Sequence, residues 1–339
     1  MEKVQQNVLL APSTTLGVGG KADFFLVAST KEELRQGVQF AKANELPVRI
    51  LGGGSNILVP DEGVKGLVIK NEISGINYSS EGKSVLATVG GGVLWDDFVY
   101  DTVKEGYWGL ENLSSIPGTV GATPVQNVGA YGVEVGEFVR EVEAYDSVKD
   151  SFVKLSKADC CFGYRDSYFK TEEGRRLLIV SVTYILSSEP KPVLNYRDLA
   201  ERFKDVVGTP SLLEIRDAVI KIRSEKFPDT KILGTAGSFF KNPIINKSEA
   251  DELLITYPSL PVFSQADDKV KVSLGFILDK ICGLRGYAER NVGLYEKQAL
   301  VLINMGGATA DDVKHFASKV SEKVFEKTKI KIEWEVNQW

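Results

Sequence analysis

The stretch GTAGSFFKNP, residues 234–243, sets Ser238 between a glycine and two phenylalanines, with Lys241 close behind. A serine hydroxyl usually becomes a nucleophile through an imidazole base. The chain has one histidine, His315, in a segment whose apolar stripe is Val313, Phe316, Ala317, Val320 and Val324. At helical spacing that stripe leaves His315 off the buried face, so it is expected in solvent. Ser-His-Asp triads and histidine-based metal sites are thereby excluded, and Ser238 needs a different task.

Its surroundings are cationic. From Lys221 to Lys247 six cations (Lys221, Arg223, Lys226, Lys231, Lys241 and Lys247) face two anions, Glu225 and Asp229, in a chain of net charge −5. A local excess of that kind suits an anionic ligand. For Lys221 and Arg223 a solvated helix face explains it equally well; Lys226 and Lys241, beside aromatic and proline-containing turns, fit that account less. GYRDS, 163–167, puts Arg165 on a loop, where it could pair with Asp159 or Asp166 or grip a carboxylate through two parallel hydrogen bonds. GGGSN, 52–56, leads into more strand rather than a helix, so it is not a Rossmann fingerprint, whose glycines open a helix. Alone it is a weak sign of a phosphate cradle and requires a partner loop.

The elements that must carry these groups alternate. DFFLVAS (23–29) reads as a strand, a Thr30/Glu33 capping box opens a helix with Leu34, Val38 and Ala41 on one face, and PVRIL (47–51) returns as a strand. The result is a β-α-β-β unit ending near residue 70. A second unit opens with the strand SVLATVGGG and a helix in which Trp95 and Phe98 read as core. Next comes an apolar segment without helical period, holding five glycines between Gly118 and Gly136. Long loops inside compact domains are usually functional or disordered, and this one is too apolar to be disordered. REVEAYDS and SFVKLS form a hairpin, and a helix capped by Ser211 and Glu214 shows Leu212, Ile215, Val219 and Ile222 on one face before Pro228 stops it.

At 339 residues there is room for two or three domains. The divisions expected are 1–70, 71–218 and 219–339. A pI near 5.3 argues against nucleic acid as partner. Three cysteines, two of them adjacent, give neither a disulfide framework nor a zinc spacing, which fits a reduced cytoplasm. The start MEKVQQNVLLAPSTT is no secretory signal, and the apolar run 177–186 is about half the ~20 residues a membrane helix needs.

In order and spacing, LGGGSN, IPGTVGATPVQNVGAYG, FGYRDS, GTAGSFFKNP, QALVLIN and the terminal EWEV resemble the UDP-N-acetylenolpyruvoylglucosamine reductase family, from about Thr15 to Glu335. The resemblance implies an α+β protein: a two-subdomain FAD-binding part of the vanillyl-alcohol-oxidase type, followed by an α+β substrate domain. It implies flavin contacts at Leu51, Gly52, Gly53, Gly54, Ser55 and Asn56. Others fall at Ile116, Pro117, Gly118, Gly121, Ala122, Val125, Asn127, Gly129, Ala130, Tyr131, Gly132 and Arg165. With no histidine in the first 314 residues to tether it, the FAD is expected to be non-covalent.

The implied reaction is NADPH-dependent reduction of the enolpyruvyl double bond of a UDP-sugar, feeding peptidoglycan synthesis in the cytoplasm. Ser238 would give a proton to the α-carbon, while Arg165 and Glu335 stabilise the enolate; Glu333 competes with Glu335, which directly precedes Val336 as in the family pattern. Substrate contacts are implied at Tyr164, Tyr196, Lys226, Asn242, Phe263, Arg285 and Gln298. No metal, nucleic acid or membrane is expected, and a monomer is. Ala122 and Thr123 stand where serines are common in the family, Phe263 where a tyrosine is, and Asn337 where an arginine is. The alternatives are a flavin oxidase of a small alcohol on the same fold and a non-catalytic binding module.

Overall fold

A computed structural model describes residues 3–339. Two compact units emerge, and neither is one run of sequence. The first takes the N-terminal residues through Val8, Ala22–Gly54 and Lys65–Arg223; the second takes Leu9–Lys21, Ser55–Val64 and Ser224–Trp339.

The first unit has two large sheets. One is ordered Gln5–Leu9, Lys21–Ala28, Val64–Asn71, Val48–Leu51, the last pair running parallel with Ile50 opposite Ile69. The helix Lys31–Ala43 starts as the sequence requires: Thr30 Oγ1 accepts the Glu33 N–H at 3.1 Å, though Glu33 reaches back to the Ser29 N–H rather than to Thr30. Its Leu34, Val38 and Ala41 bury against Leu26, Leu67 and Ile69.

The other sheet is antiparallel, ordered Ser151–Ser156, Val139–Asp146, Leu177–Ser187, Ser84–Gly90, Ile76–Glu81, with Val142, Val182 and Val89 in one row. The helix Trp95–Lys104 buries Trp95, Phe98 and Val99 with Ala87, Val89, Val182 and Tyr184. At about 1.5–3 kcal/mol for each large apolar side chain removed from water, this cluster anchors the unit. The indole N–H of Trp95 donates to Leu113 O at 2.9 Å, fixing the start of the glycine-rich segment. The helices Arg197–Phe203 and Leu212–Lys226 follow, the second capped by Ser211 and Glu214 as expected. Besides its apolar face it buries Arg216.

In the second unit, strands Gly234–Ser238, Gln298–Asn304, Val292–Tyr295 and Ala288–Glu289 make one sheet, and Ile244–Asn246, Lys269–Val272 and Val262–Ser264 another. The helix Ala310–Thr328 buries Val313, Phe316, Ala317, Val320 and Val324 and leaves His315 exposed, as its spacing predicts. Sequential division at residues 70 and 218 misses one feature. Leu16, Val18 and Leu58 lie in the apolar core of this second unit, with Phe239, Phe240 and Phe316. The Asp61 carboxylate accepts the Ala310 and Asp311 N–H groups at the helix start, a favourable place for negative charge. Periodicity within a segment cannot reveal which distant core it joins.

The three cysteines are free thiols, and no metal-holding cluster occurs among the described residues.

Candidate functional site

In the first unit, the loop after strand Val48–Leu51 packs backbone to backbone on the 117–122 segment. A Cβ on Gly53 would sit 2.7 Å from Gly118 Cα, and one on Gly52 would sit 2.5 Å from Thr119 Oγ1. Only glycine permits that approach. The 117–122 segment is held in turn, with Trp95 N–H on Gly118 O at 3.0 Å, Val120 N–H on Val93 O at 2.9 Å and Gly121 N–H on Gly91 O at 2.8 Å. Thr119 is 4% exposed, yet its Oγ1 has no hydrogen-bond partner. A buried hydroxyl without a partner costs about 1–3 kcal/mol. Facing Gly52, it is an orphan donor at a cradle shaped for a polar, oxygen-rich group such as a pyrophosphate. Thr123, by contrast, turns inward to Val120 O and the Tyr184 hydroxyl, both at 2.9 Å.

The GYRDS loop is stitched to residues 125–136 by three bonds. Ser167 Oγ donates to Val125 O at 2.6 Å, Arg165 Nη2 to Gly129 O at 2.8 Å, and Asn127 Nδ2 to Gly163 O at 3.0 Å. Arg165 holds a left-handed backbone, φ 53°, and its guanidinium lies over the Tyr164 ring at 5.5 Å. Neither aspartate proposed as its structural partner turns out to be idle: Asp159 accepts from Ser156 and Asp166 from the Ser167 N–H.

Gly129–Ala130 and Val133–Glu134 pair as a hairpin whose two turn residues, Tyr131 (φ 50°) and Gly132 (φ 84°), both take positive φ, the requirement of the tight turn that matches strand twist. The Tyr131 ring meets Tyr196 edge-on at 5.4 Å, so hairpin and Tyr196 loop share one aromatic contact. Burial pushes the Tyr131 phenol up to about 12 against the pull of the Arg223 guanidinium, which hydrogen-bonds it. Burial, then Asp198 and Tyr164, likewise raise Tyr196. Arg223 Nε also donates to Ser115 O at 3.0 Å, while Asp96 accepts the Ser115 N–H and makes a two-pronged pair with Arg216 at 2.7 and 2.8 Å. Ser115 has φ 60°, a costly conformation for a residue with a side chain, so opposite charges hold the two peptide groups on either side of a strained residue just before Ile116–Gly118.

In the second unit, Ser238 ends the strand Gly234–Ser238 opposite Val301. The Glu335 N–H donates to Phe239 O at 2.8 Å, and Phe240 bridges Trp334, so the chain around Glu335 runs beside the chain around Ser238. On the other side Asn56 Nδ2 donates to Glu335 O at 3.3 Å, and Asn56 O accepts the Asn337 N–H at 3.1 Å. Residues 334–337 are thus strung between the GGGSN and GTAGSFFKNP motifs. Glu333, the competing acid, is 77% exposed and paired with Lys241 at 3.1 Å.

The remaining expected contacts scatter more widely within this unit. Asn242 Oδ1 accepts the Leu274 N–H at 3.0 Å, Gln298 Oε1 the Leu300 N–H at 3.4 Å, and Arg285 pairs with Asp279 at 3.2 Å. Phe263 is 52% exposed beneath Lys271, and Lys226 closes the helix Leu212–Lys226. Sequence reasoning missed Thr119 and the inward role of Arg223. For Arg223 a signal existed: Arg216 and Arg223, seven apart, share one helix face.

A glycine cradle with a spare buried donor suits the phosphates of a bound cofactor, and similarity to known proteins says which one. The FAD binding domain family matches residues 22–155, and the C-terminal domain of UDP-N-acetylenolpyruvoylglucosamine reductase matches residues 228–339. A reductase of that name from Polynucleobacter asymbioticus is 40% identical over 336 residues, covering 99% of this chain and 96% of its own. One from Bdellovibrio bacteriovorus is 41% identical over 338 residues, covering 99% and 100%. The crystal structure of the Thermus caldophilus enzyme superposes with a TM-score of 0.70 at 27% identity, over 99% of this chain and 98% of that one. The chain belongs to the UDP-N-acetylenolpyruvoylglucosamine reductase family. Its fold class, a two-part FAD-binding fold with a C-terminal α+β domain, is the one expected from the sequence.

Proposed function

We propose that the protein reduces the enolpyruvyl double bond of UDP-N-acetylenolpyruvoylglucosamine to give UDP-N-acetylmuramate, a precursor of peptidoglycan, with NADPH as reductant. When bound, non-covalent FAD supplies the hydride that reaches the β-carbon. The chain's own groups do the rest. Backbone at Gly52–Asn56 and Ile116–Gly121, with the Thr119 hydroxyl, holds the pyrophosphate. Arg165, its guanidinium steadied by Gly129 O, grips the substrate carboxylate, and Glu335, as its acid, donates a hydrogen bond to the charge that collects there. The Ser238 hydroxyl gives its proton to the α-carbon. Serine is a weak acid, but the acceptor is carbanion-like, so this transfer runs downhill without an imidazole.

The observation carrying this assignment is the main-chain bond of Glu335 to Phe239, one residue from Ser238, with Asn56 of the glycine loop on the opposite side. Tyr164, Tyr196, Lys226, Asn242, Phe263, Arg285 and Gln298 are assigned to the sugar nucleotide. Residues 1–70, apart from Leu9–Lys21 and Ser55–Val64, and 71–218 are assigned to the two flavin subdomains, and 219–339 together with those two segments to the substrate domain. A cytoplasmic monomer that supplies wall synthesis, and through it cell shape and division, completes the reading. An alcohol oxidase is disfavoured, since the family relationship runs through the whole chain.

The test separates half-reactions. Ser238→Ala should leave anaerobic bleaching of the flavin by NADPH within twofold and slow its reoxidation by the enolpyruvyl sugar on the order of a thousandfold. Equal slowing of both halves would remove Ser238 from its role.

A further inference from the structure

Asn112 lies in a short helical turn, Glu111–Leu113, and is 1% exposed. Both hydrogens of its amide are spent on main chain: Nδ2 donates to Tyr131 O at 2.9 Å and to Val193 O at 2.8 Å. Its Oδ1 is buried without a partner. A buried amide that leaves its acceptor unsatisfied is kept for its two donors.

Each acceptor belongs to a tyrosine-bearing turn. Tyr131 sits at φ 50°, a conformation that disfavours a bulky residue and persists only where its surroundings hold it. Val193 lies three residues before Tyr196, in a stretch between Ser187 and Arg197 that has no regular structure and carries Pro190 and Pro192. Such a stretch has no ladder of its own, so contacts from outside must fix it. The contacts around these turns agree: a Cβ on Gly132 would lie 3.4 Å from Asn195 Oδ1 and 3.7 Å from Tyr196 Cβ, and the rings of Tyr131 and Tyr196 touch.

We infer that Asn112 is a positioning residue that latches the Tyr196 loop to the Tyr131 turn and so sets how Tyr196 meets the sugar nucleotide. The inference rests on the proposed function for the ligand's identity, but the latch itself does not. Asn112→Asp keeps the size of the side chain and turns its two donors into acceptors facing two carbonyls. In the FAD-loaded protein, amide hydrogen exchange in peptides spanning 188–197 should rise at least tenfold, with the sheet peptides 139–146 and 177–187 unchanged. The KM for the enolpyruvyl sugar nucleotide should rise about tenfold. A Tyr196→Ala change, costly in the parent, should add less than twofold in the Asn112→Asp background.

If that variant does not load FAD, Asn112→Ser, which keeps one donor, serves instead. Unchanged exchange at 188–197, or effects of the two substitutions that multiply, would overturn the latch. Were the parent unable to turn over the sugar nucleotide, the functional reading would fall, and hydrogen exchange alone would decide on Asn112.

Discussion

Thr119 is the residue whose chemistry the fold leaves most incomplete. Its hydroxyl is buried, aimed at Gly52, and bonded to nothing. The apoprotein bears the cost of that orphan and the holoprotein recovers it. Thr119→Val keeps the shape and removes the hydroxyl. Thermal unfolding of apoprotein should then show stability unchanged or raised by up to about 1 kcal/mol. Titration with FAD should show affinity lowered about tenfold, the worth of one hydrogen bond. A drop in apoprotein stability with unaltered FAD affinity would assign the threonine to packing alone. Nothing in the sequence marks Thr119, because a threonine in a glycine-rich loop is ordinary until Gly52 closes on it.

Among elements, the helices Trp95–Lys104 and Leu212–Lys226 do more than cover a sheet. Asp96 on the first and Arg216 and Arg223 on the second hold Ser115 by its N–H and its C=O. Burial works to raise the Asp96 carboxyl, but the Arg216 hydrogen bonds and the Ser115 N–H outweigh it and leave the group below its ordinary 3.8. A depressed carboxyl stabilises the fold at pH above its unfolded value, and that contribution disappears as pH falls through the folded one. Asp96→Asn should therefore destabilise by about 2 kcal/mol at pH 7 and flatten the acid limb of stability below about pH 4. Chemical denaturation at pH 7 and at pH 3 checks this; an equal loss at both would deny the charge its part. The helices themselves are legible from periodicity and caps, whereas the Asp96–Arg216 pairing spans 120 residues, beyond any local pattern.

At the scale of the molecule, the interleaving of the units makes a folding prediction. The isolated segment 219–339 lacks Leu16, Val18 and Leu58, all buried in its core, and the Asp61 carboxylate at the start of helix Ala310–Thr328. Losing three buried side chains at about 2–5 kcal/mol each exceeds what most domains can spare. The fragment should show no cooperative thermal transition and weak near-ultraviolet dichroism. A cooperatively folding fragment would mean that the early segments only decorate the second unit.

The sequence alone determined the alternation of strand and helix, the buried stripes of the helices Lys31–Ala43, Leu212–Lys226 and Ala310–Thr328, the solvent position of His315, and the motifs that mark the family. Each depends on neighbours along the chain, where caps, periods of 3.6 and glycine spacing act directly. Only the tertiary structure decided that Leu16 and Leu58 join a core built from residues beyond 223, that Arg223 turns inward to Ser115 and Tyr131, and that Asn112 ties two distant turns together. Hydrogen bonds and burial act through space. A chain folded back on itself brings together groups whose separation in sequence carries no information about their contact.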